Sequence, residues 1–377
     1  MRVAFNTLHE DPRAPSNAVR FIGNMVAALA ERAPENDYLL YVGEEGESMF
    51  DDVAPPSVRR RVFPHSNERR LRRIVSEQRE VPAALRDDKV DIFHCVGGVV
   101  PLRSDVPSLL SVITMHHKLF SREIGFARST FRNVMFDLSV RKAKVIVCNS
   151  ASNMANIVKY LPVPEDKIML CPDALDEFYL EPADPAHSEQ VLAELRIDKP
   201  YIMFASAMYK YKNLEALLEA FALLRRSDGE DRQLVVCGHG PTAYVEELKQ
   251  RAASLGIGDA TLFVGHQGPE QLRSIYACAE VFVYPSLYET FGHPPLQAMA
   301  QGTPVIASDC SSIPEVVGDA AVLFDPKSPD ALHDALRRVL DDRILREELV
   351  ERGRRQATVW NWDRAAAAVL DAYARFS

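Results

Sequence analysis

Short, continuously apolar runs alternate along this chain with longer segments in which apolar residues recur every three or four positions. The short runs fall at 3–7, 38–42, 91–96, 108–115, 144–149 and 167–172, then at 201–206, 233–238, 260–265, 280–285, 304–307 and 321–324. They are rich in β-branched residues and mostly lack polar alternation, which predicts parallel strands covered on both faces. The longer segments predict helices. In 213–226, Leu214, Leu217, Leu218, Phe221 and Leu224 fall on one apolar stripe. Further helical patterns occupy 243–255, 269–278, 329–340 and 344–357. Strands alternating with helices of this length predict βαβ units, and two groups of about six strands predict two open, doubly wound α/β sheets.

A boundary is expected after Pro172, where Pro182 and Pro185 follow within a polar stretch, because proline interrupts both helices and sheet ladders. This predicts one domain over 1–175 and a second over 176–362. Asp363 reads as the N-cap of a last helix over 364–376. A chain of 377 residues suits two cores better than one. The net charge of −9 argues against a general nucleic-acid binder. Six scattered cysteines show no C-x-x-C spacing, which suggests buried, reduced thiols rather than a zinc or redox site and fits a cytoplasmic protein. The first residues read as a strand rather than a signal peptide, and no apolar stretch approaches the roughly 18 residues of a membrane span.

The most informative segment runs Tyr284-Pro285-Ser286-Leu287-Tyr288-Glu289-Thr290-Phe291-Gly292-His293-Pro294-Pro295-Leu296-Gln297. A strand ends, a turn comes next, and a helix begins near Pro294, where a missing N–H has no helical partner to lose. Amides and a positive dipole end at such a helix start suit a phosphate, and ligands collect at this edge of doubly wound sheets. Taken alone, the segment fits a capped, buried turn equally well.

Glu289 to Gln297 resembles the E-x7-E signature of the family 4 glycosyltransferases, retaining enzymes of the GT-B fold that use nucleotide sugars. The run Gly302-Thr303-Pro304-Val305-Ile306-Ala307-Ser308 is similar to the family's next strand, and the run 313–326 is similar to the family as well. The resemblance implies two Rossmann-like domains facing across a cleft. The first would bind the acceptor and be completed by the terminal helix over 363–377; the second would bind the donor. It also implies that Glu289 contacts the transferred sugar, and that Thr290, Phe291, Gly292 and His293 lie along the donor phosphates. The second glutamate of the signature is Gln297 here. An amide lacks the charge and half the acceptor capacity of the carboxylate that usually takes the ribose hydroxyls.

In the family, the loop matching 204–213 carries a basic pair for the pyrophosphate. Lys212 matches the lysine, and Ser206 stands where the arginine is expected; Lys210 is a further cation able to share the task. A fixed cation would stabilise charge growing on the leaving group. The plainer reading of Lys212 is a solvated residue at a helix start. The nucleotide base is expected beside 238–241 and 265–267, which include Gly265 and His266. On the acceptor side, His116 in Thr114-Met115-His116-His117 matches a histidine that the family often places there, with His117 in place of an aspartate. His94, at another strand end, and Arg13 and Asn17, in an opening loop without the family's glycines, are further acceptor candidates. Histidines at strand ends are often purely structural. Arg59-Arg60-Arg61 and Arg69-Arg70-Leu71-Arg72-Arg73 suggest a basic amphipathic helix, either a solvated face or a contact for anionic lipid or a phosphorylated acceptor.

The expected activity is therefore sugar transfer from a nucleotide-diphosphate sugar to an acceptor hydroxyl, with Glu289, Lys212 and His116 as the catalytic candidates. No D-x-D pair stands at a strand end of the second domain, so no metal and no other cofactor is expected. A nucleotide-sugar epimerase of the same fold and a non-catalytic nucleotide-sugar-binding subunit are the competing readings. Base, sugar, acceptor and oligomeric state stay open.

Overall fold

The computed structural model describes residues 1–10, 17–64, 70–97, 99–119, 126–228 and 231–376. The chain divides into two compact units, Met1–Ala174 with Asn361–Ser377, and Leu175–Trp360. The first unit contains β1 (Arg2–Asn6), α1 (Asn17–Arg32), β2 (Asp37–Gly43), β3 (Arg59–Phe63), α2 (Arg70–Asp87), β4 (Ile92–Val96) and β5 (Ser108–Val112). It continues through α3 (His116–Leu119), α4 (Phe126–Lys142), β6 (Val145–Cys148), α5 (Ala151–Tyr160) and β7 (Ile168–Leu170). The second holds α6 (Pro185–Glu194), β8 (Tyr201–Ala205), α7 (Leu214–Asp228), β9 (Gln233–Cys237), α8 (Thr242–Ser254), β10 (Thr261–Gly265) and α9 (Pro269–Cys278). Next come β11 (Val281–Tyr284), α10 (His293–Ala300), β12 (Val305–Ser308), α11 (Ile313–Val317), β13 (Ala321–Phe324), α12 (Pro329–Asp341) and α13 (Arg343–Val359). The last helix, α14 (Trp362–Ala374), belongs to the first unit.

Both sheets are wholly parallel. The first runs in the order β3-β2-β1-β4-β5-β6-β7 and the second β10-β9-β8-β11-β12-β13. Each reverses its strand order once, at β1/β4 and at β8/β11. Alternate residues along the strands feed separate cores: Val3 and Phe5 pack towards α1 and α14, whereas Ala4 packs on the opposite face with residues of α2, α4 and α5. In the second unit Ile202 and Phe204 meet the leucines of α7, and Tyr201 and Met203 face the side that carries α9 and α10. Covering both faces is what the continuously apolar strand sequences require.

The structure corrects several expectations. Arg59, Arg60 and Arg61 lie on the edge strand β3 rather than on a helix, and they pair with Asp37, Asp51 and Asp88 respectively. Charged side chains on an edge strand discourage pairing with another chain, and these are already matched by carboxylates, which weakens the case for a free basic surface. Arg69 lies outside the described residues, as does Arg13; of Arg70 and Arg72 only the backbone course is described. The cap of α14 is Asn361, whose side chain accepts from the Arg364 amide at 2.9 Å; Asp363 sits in the first turn and pairs with Arg32. Cys278 is exposed and Cys310 half-buried, whereas Cys95, Cys148, Cys171 and Cys237 are buried as expected. Among the described residues, no helix is long and apolar enough to cross a membrane.

His94 is also corrected. Its side chain is buried in β4, with Nδ1 2.8 Å from the Tyr373 hydroxyl of α14 and Nε2 2.7 Å from Ser111 Oγ of β5. Both ring nitrogens are committed inside the first unit, so His94 ties the terminal helix to the sheet rather than offering itself to an acceptor. Burial lowers its pKa from 6.5 to about 3. The unfolded imidazole therefore takes a proton before the folded one, and the contribution of His94, fully present above pH 6.5, is lost as pH falls towards 3. Between pH 7 and 5 this loss is expected to reach on the order of 2 kcal/mol in denaturant titrations. His94→Gln should flatten that interval; unchanged slopes would refute the assignment.

Candidate active site

The β8/β11 reversal brings together two loops that are distant in sequence. After β8 the chain passes Ser206 and Met208, whose carbonyls are approached so closely by Gly238 and Gly240 that a Cβ there would lie 1.9 and 2.2 Å away. Glycine at these two positions lets the loops after β8 and β9 pack backbone against backbone, supported by the Met208 amide donating to the His239 carbonyl at 2.8 Å. The loop then makes one turn over Lys210–Lys212 and ends at Asn213, which adopts a left-handed conformation with φ 57°. Asn213 Nδ2 donates to the carbonyls of Pro285 (3.1 Å) and Pro326 (2.8 Å). The Leu287 amide donates to the Tyr211 carbonyl at 2.8 Å. These bonds fasten the β8 loop to the β11 loop.

Lys212 is thereby carried onto Glu289. Its Nζ lies 2.5 Å from Glu289 Oε1 and 3.2 Å from the Tyr284 hydroxyl, which itself donates to Glu289 Oε1 at 2.7 Å. The side chains of the pair are only 9% and 12% exposed. Rings of Tyr211 and Tyr284 flank the ammonium at 5.2 and 5.4 Å, a cation–π arrangement. Burial, then the charge of Glu289, holds the Tyr284 hydroxyl well above its usual pKa, so it stays a donor. The Glu289 main chain is fixed as well: its amide donates to Ser311 Oγ at 2.9 Å, and Ser312 Oγ donates to the carbonyls of Glu289 (3.0 Å) and Phe291 (2.7 Å). Lys210, in contrast, is exposed, lies over the Tyr244 ring at 5.8 Å and does not join the pair.

Helix α10 starts one residue earlier than expected, at His293, after Gly292 at φ 131°. Its first four backbone positions are Gly292, His293, Pro294 and Pro295, so the donors at this helix start come from Gly292 and His293. The N-cap residue is Gly292, which has no side chain to cap the helix. Thr290 is half-buried beside these donors. The Phe291 side chain belongs to the core, packed edge-on against Trp360 at 5.1 Å, so only its main chain is available to a ligand. One turn into α10, Gln297 is half-buried and its Oε1 accepts from the buried Tyr276 hydroxyl at 3.2 Å. At the β9 and β10 ends, the Gly238 amide donates to the Gly265 carbonyl at 2.7 Å, and the exposed rings of His239 and His266 meet edge-on at 5.6 Å. Sequence reasoning missed Tyr276 and Ser312; it singled out the Gly238–Pro241 loop for the nucleotide base and Tyr284 as the end of a strand, but not the close backbone contact of Gly238 and Gly240 or the hydrogen bond of Tyr284 to Glu289. Of the acceptor candidates, Asn17, His116 and His117 have a described backbone only, at the starts of α1 and α3.

The family model described as Glycosyl transferases group 1 matches residues 189–356, and that described as Glycosyltransferase Family 4 matches 18–177. The O-antigen chain mannosyltransferase B of Escherichia coli is 30% identical over 295 residues, which cover 77% of this chain and 76% of that protein. This chain belongs to the family 4 glycosyltransferases. A D-inositol 3-phosphate glycosyltransferase of Corynebacterium diphtheriae is 29% identical over 73% of this chain and 65% of its own length. Among solved structures, sucrose-phosphate synthase from Thermosynechococcus elongatus superposes with a TM-score of 0.77 at 19% identity, covering 100% of this chain and 98% of that one. HepE of Anabaena, in complex with UDP and glucose, superposes at 0.76 with 16% identity, covering 99% of each chain. The two α/β units are those of the GT-B fold. The relatives are named as sugar transferases, which does not favour an epimerase or a non-catalytic subunit.

Removing one partner of a buried ion pair leaves an uncompensated charge. Lys212→Met is expected to destabilise the protein by about 3 kcal/mol, and adding Glu289→Gln should recover most of that loss. Additive losses in a denaturant double-mutant cycle would show that the two groups do not interact.

Proposed function

We propose that this glycosyltransferase moves a sugar from a nucleotide-diphosphate sugar to a hydroxyl of a polyol acceptor, with retention of anomeric configuration and without a metal ion. The observation that carries the reading is the meeting of Lys212 and Glu289 at the β8/β11 reversal, the edge at which open α/β sheets bind ligands. The complex of HepE with UDP and glucose supports a nucleotide-sugar donor, and the names of the mannosyl- and inositol-phosphate relatives support a hexose or cyclitol acceptor.

In this reading Lys212 and the Gly292 and His293 amides at the positive end of α10 meet the charge that builds on the departing diphosphate. That positive set supplies the neutralisation that a metal would otherwise provide. Glu289, held from one side by Lys212 and Tyr284, takes hydroxyls of the transferred sugar on its remaining lone pairs. Gln297 faces the ribose with its amide, while Ser206, Gly265, His266 and Thr290 border the nucleotide. The first unit receives the acceptor through His116 and His117, with Arg13 and Asn17 contributing from the opening loop. Attack from the side of the leaving group, with the departing phosphate as base, retains configuration.

Lys212→Ala is expected to lower kcat by about 10²–10³ or more, as removal of one charge-stabilising group does elsewhere; a near-normal rate would take Lys212 out of the mechanism. Turnover in excess EDTA should be undiminished, and its loss would overturn metal independence.

A further inference from the structure

The first sheet has a reversal of its own, between β1 and β4. In the second unit the matching position holds Lys212 and Glu289. In the first it is formed by the turn after β1, the end of β4 at Cys95, and the early turns of α2. The turn is rigidly held: the Thr7 amide and hydroxyl both donate to the Tyr41 carbonyl, at 3.1 and 2.8 Å, and the Glu10 amide donates to the Thr7 carbonyl at 3.1 Å. The Leu8 amide donates to Asn6 Oδ1 at 3.2 Å.

Polar groups lie here in pairs, and some of their buried atoms have no hydrogen-bond partner. Glu77 of α2 has a side chain only 1% exposed and forms an ion pair with Arg73, whose Nε lies 3.7 Å from Oε1, yet neither of its carboxyl oxygens accepts a hydrogen bond. His9 Nε2 stands 3.0 Å from Glu10 Oε1, while His9 Nδ1 is buried and unpartnered. Burial raises the Glu77 carboxyl, with the charges of Arg73 and His9 acting against it. The neighbouring Cys95 thiol is raised by burial and then by Glu77. An unsatisfied buried polar atom costs about 1–3 kcal/mol, and folded domains keep few of them. Three such atoms at a sheet reversal, where ligands bind, mark a receptor for polar groups.

We propose that Glu77 and His9 bind hydroxyl groups of the acceptor's polyol ring, on the acceptor side of the reaction; this rests on the transferase reading above. A hydroxyl both donates and accepts, so it matches a carboxyl and an imidazole nitrogen in either protonation state.

The test uses the full chain and two probes, methyl α-D-mannopyranoside and myo-inositol, followed by saturation-transfer NMR without donor, with UDP and GDP binding measured by calorimetry on the same samples. Glu77→Met, similar in volume and apolar, should weaken probe binding at least tenfold. Tm, read on the same samples, reports the loss of the Arg73 ion pair separately from the loss of a probe contact. Glu77→Gln, which keeps a donor and an acceptor, should retain part of the affinity. Unchanged probe affinity in Glu77→Met, a fall in Tm with affinity intact, or no binding of either probe to the wild type would each overturn the proposal. Nucleotide affinity reports on the transferase reading alone, so the two ideas can fail separately.

Discussion

In a parallel sheet every connection must travel back to the end from which the previous strand began, so all strands release their chains at one edge. That constraint organises both units. Loops leaving the strands share an edge, and where strand order reverses, neighbouring connections depart to opposite faces and leave a crevice. Lys212 and Glu289, separated by 77 positions in the chain, meet because β8 and β11 are neighbours across such a reversal. No local feature of either segment would join them.

The meeting is then stiffened by groups that carry no chemistry themselves. Asn213 staples one loop to the other, Ser311 and Ser312 hold the Glu289 main chain, and Tyr284 shares the carboxylate with Lys212. A buried cation and anion in one place are costly to desolvate unless each is fully engaged. Here the lysine has a carboxylate, a hydroxyl and two aromatic faces, and the carboxylate has two donors on one oxygen. The result is a site whose positive charge is balanced within the chain and whose positive helix start lies a few residues beyond Glu289. Gln297, one turn deeper, is neutral and already receives a hydroxyl from Tyr276, so it brings N–H donors rather than charge to its surroundings.

Much of this was legible in the order of residues. The apolar strands were visible because burial on both faces demands continuous Val, Ile, Leu and Phe, and α7 because its leucines keep a helical period. The E-x7-Q segment and Lys212 were legible because their spacing matches a known pattern. The features that escaped did so for physical reasons. Strand β3 is an edge strand with four of its five residues not buried, so it shows arginines where a buried strand would show valines. His94 looked like a strand-end ligand, but a histidine's partners, here Tyr373 and Ser111, come from other elements. Asn361 rather than Asp363 caps α14 because the entry angle of the chain, not residue type alone, selects the capping side chain.

The sequence by itself determined the class of fold, the two sets of parallel strands, the family, and the two loops that carry Lys212 and Glu289, because each depends on local period or fixed spacing. Tertiary structure alone decided which charges are paired. It joined Lys212 to Glu289 and withheld Lys210, sealed His94 inside the first unit, and buried Glu77 there as well. Pairing depends on distances between segments far apart in the chain, and those distances exist only once the sheets have set their strand order.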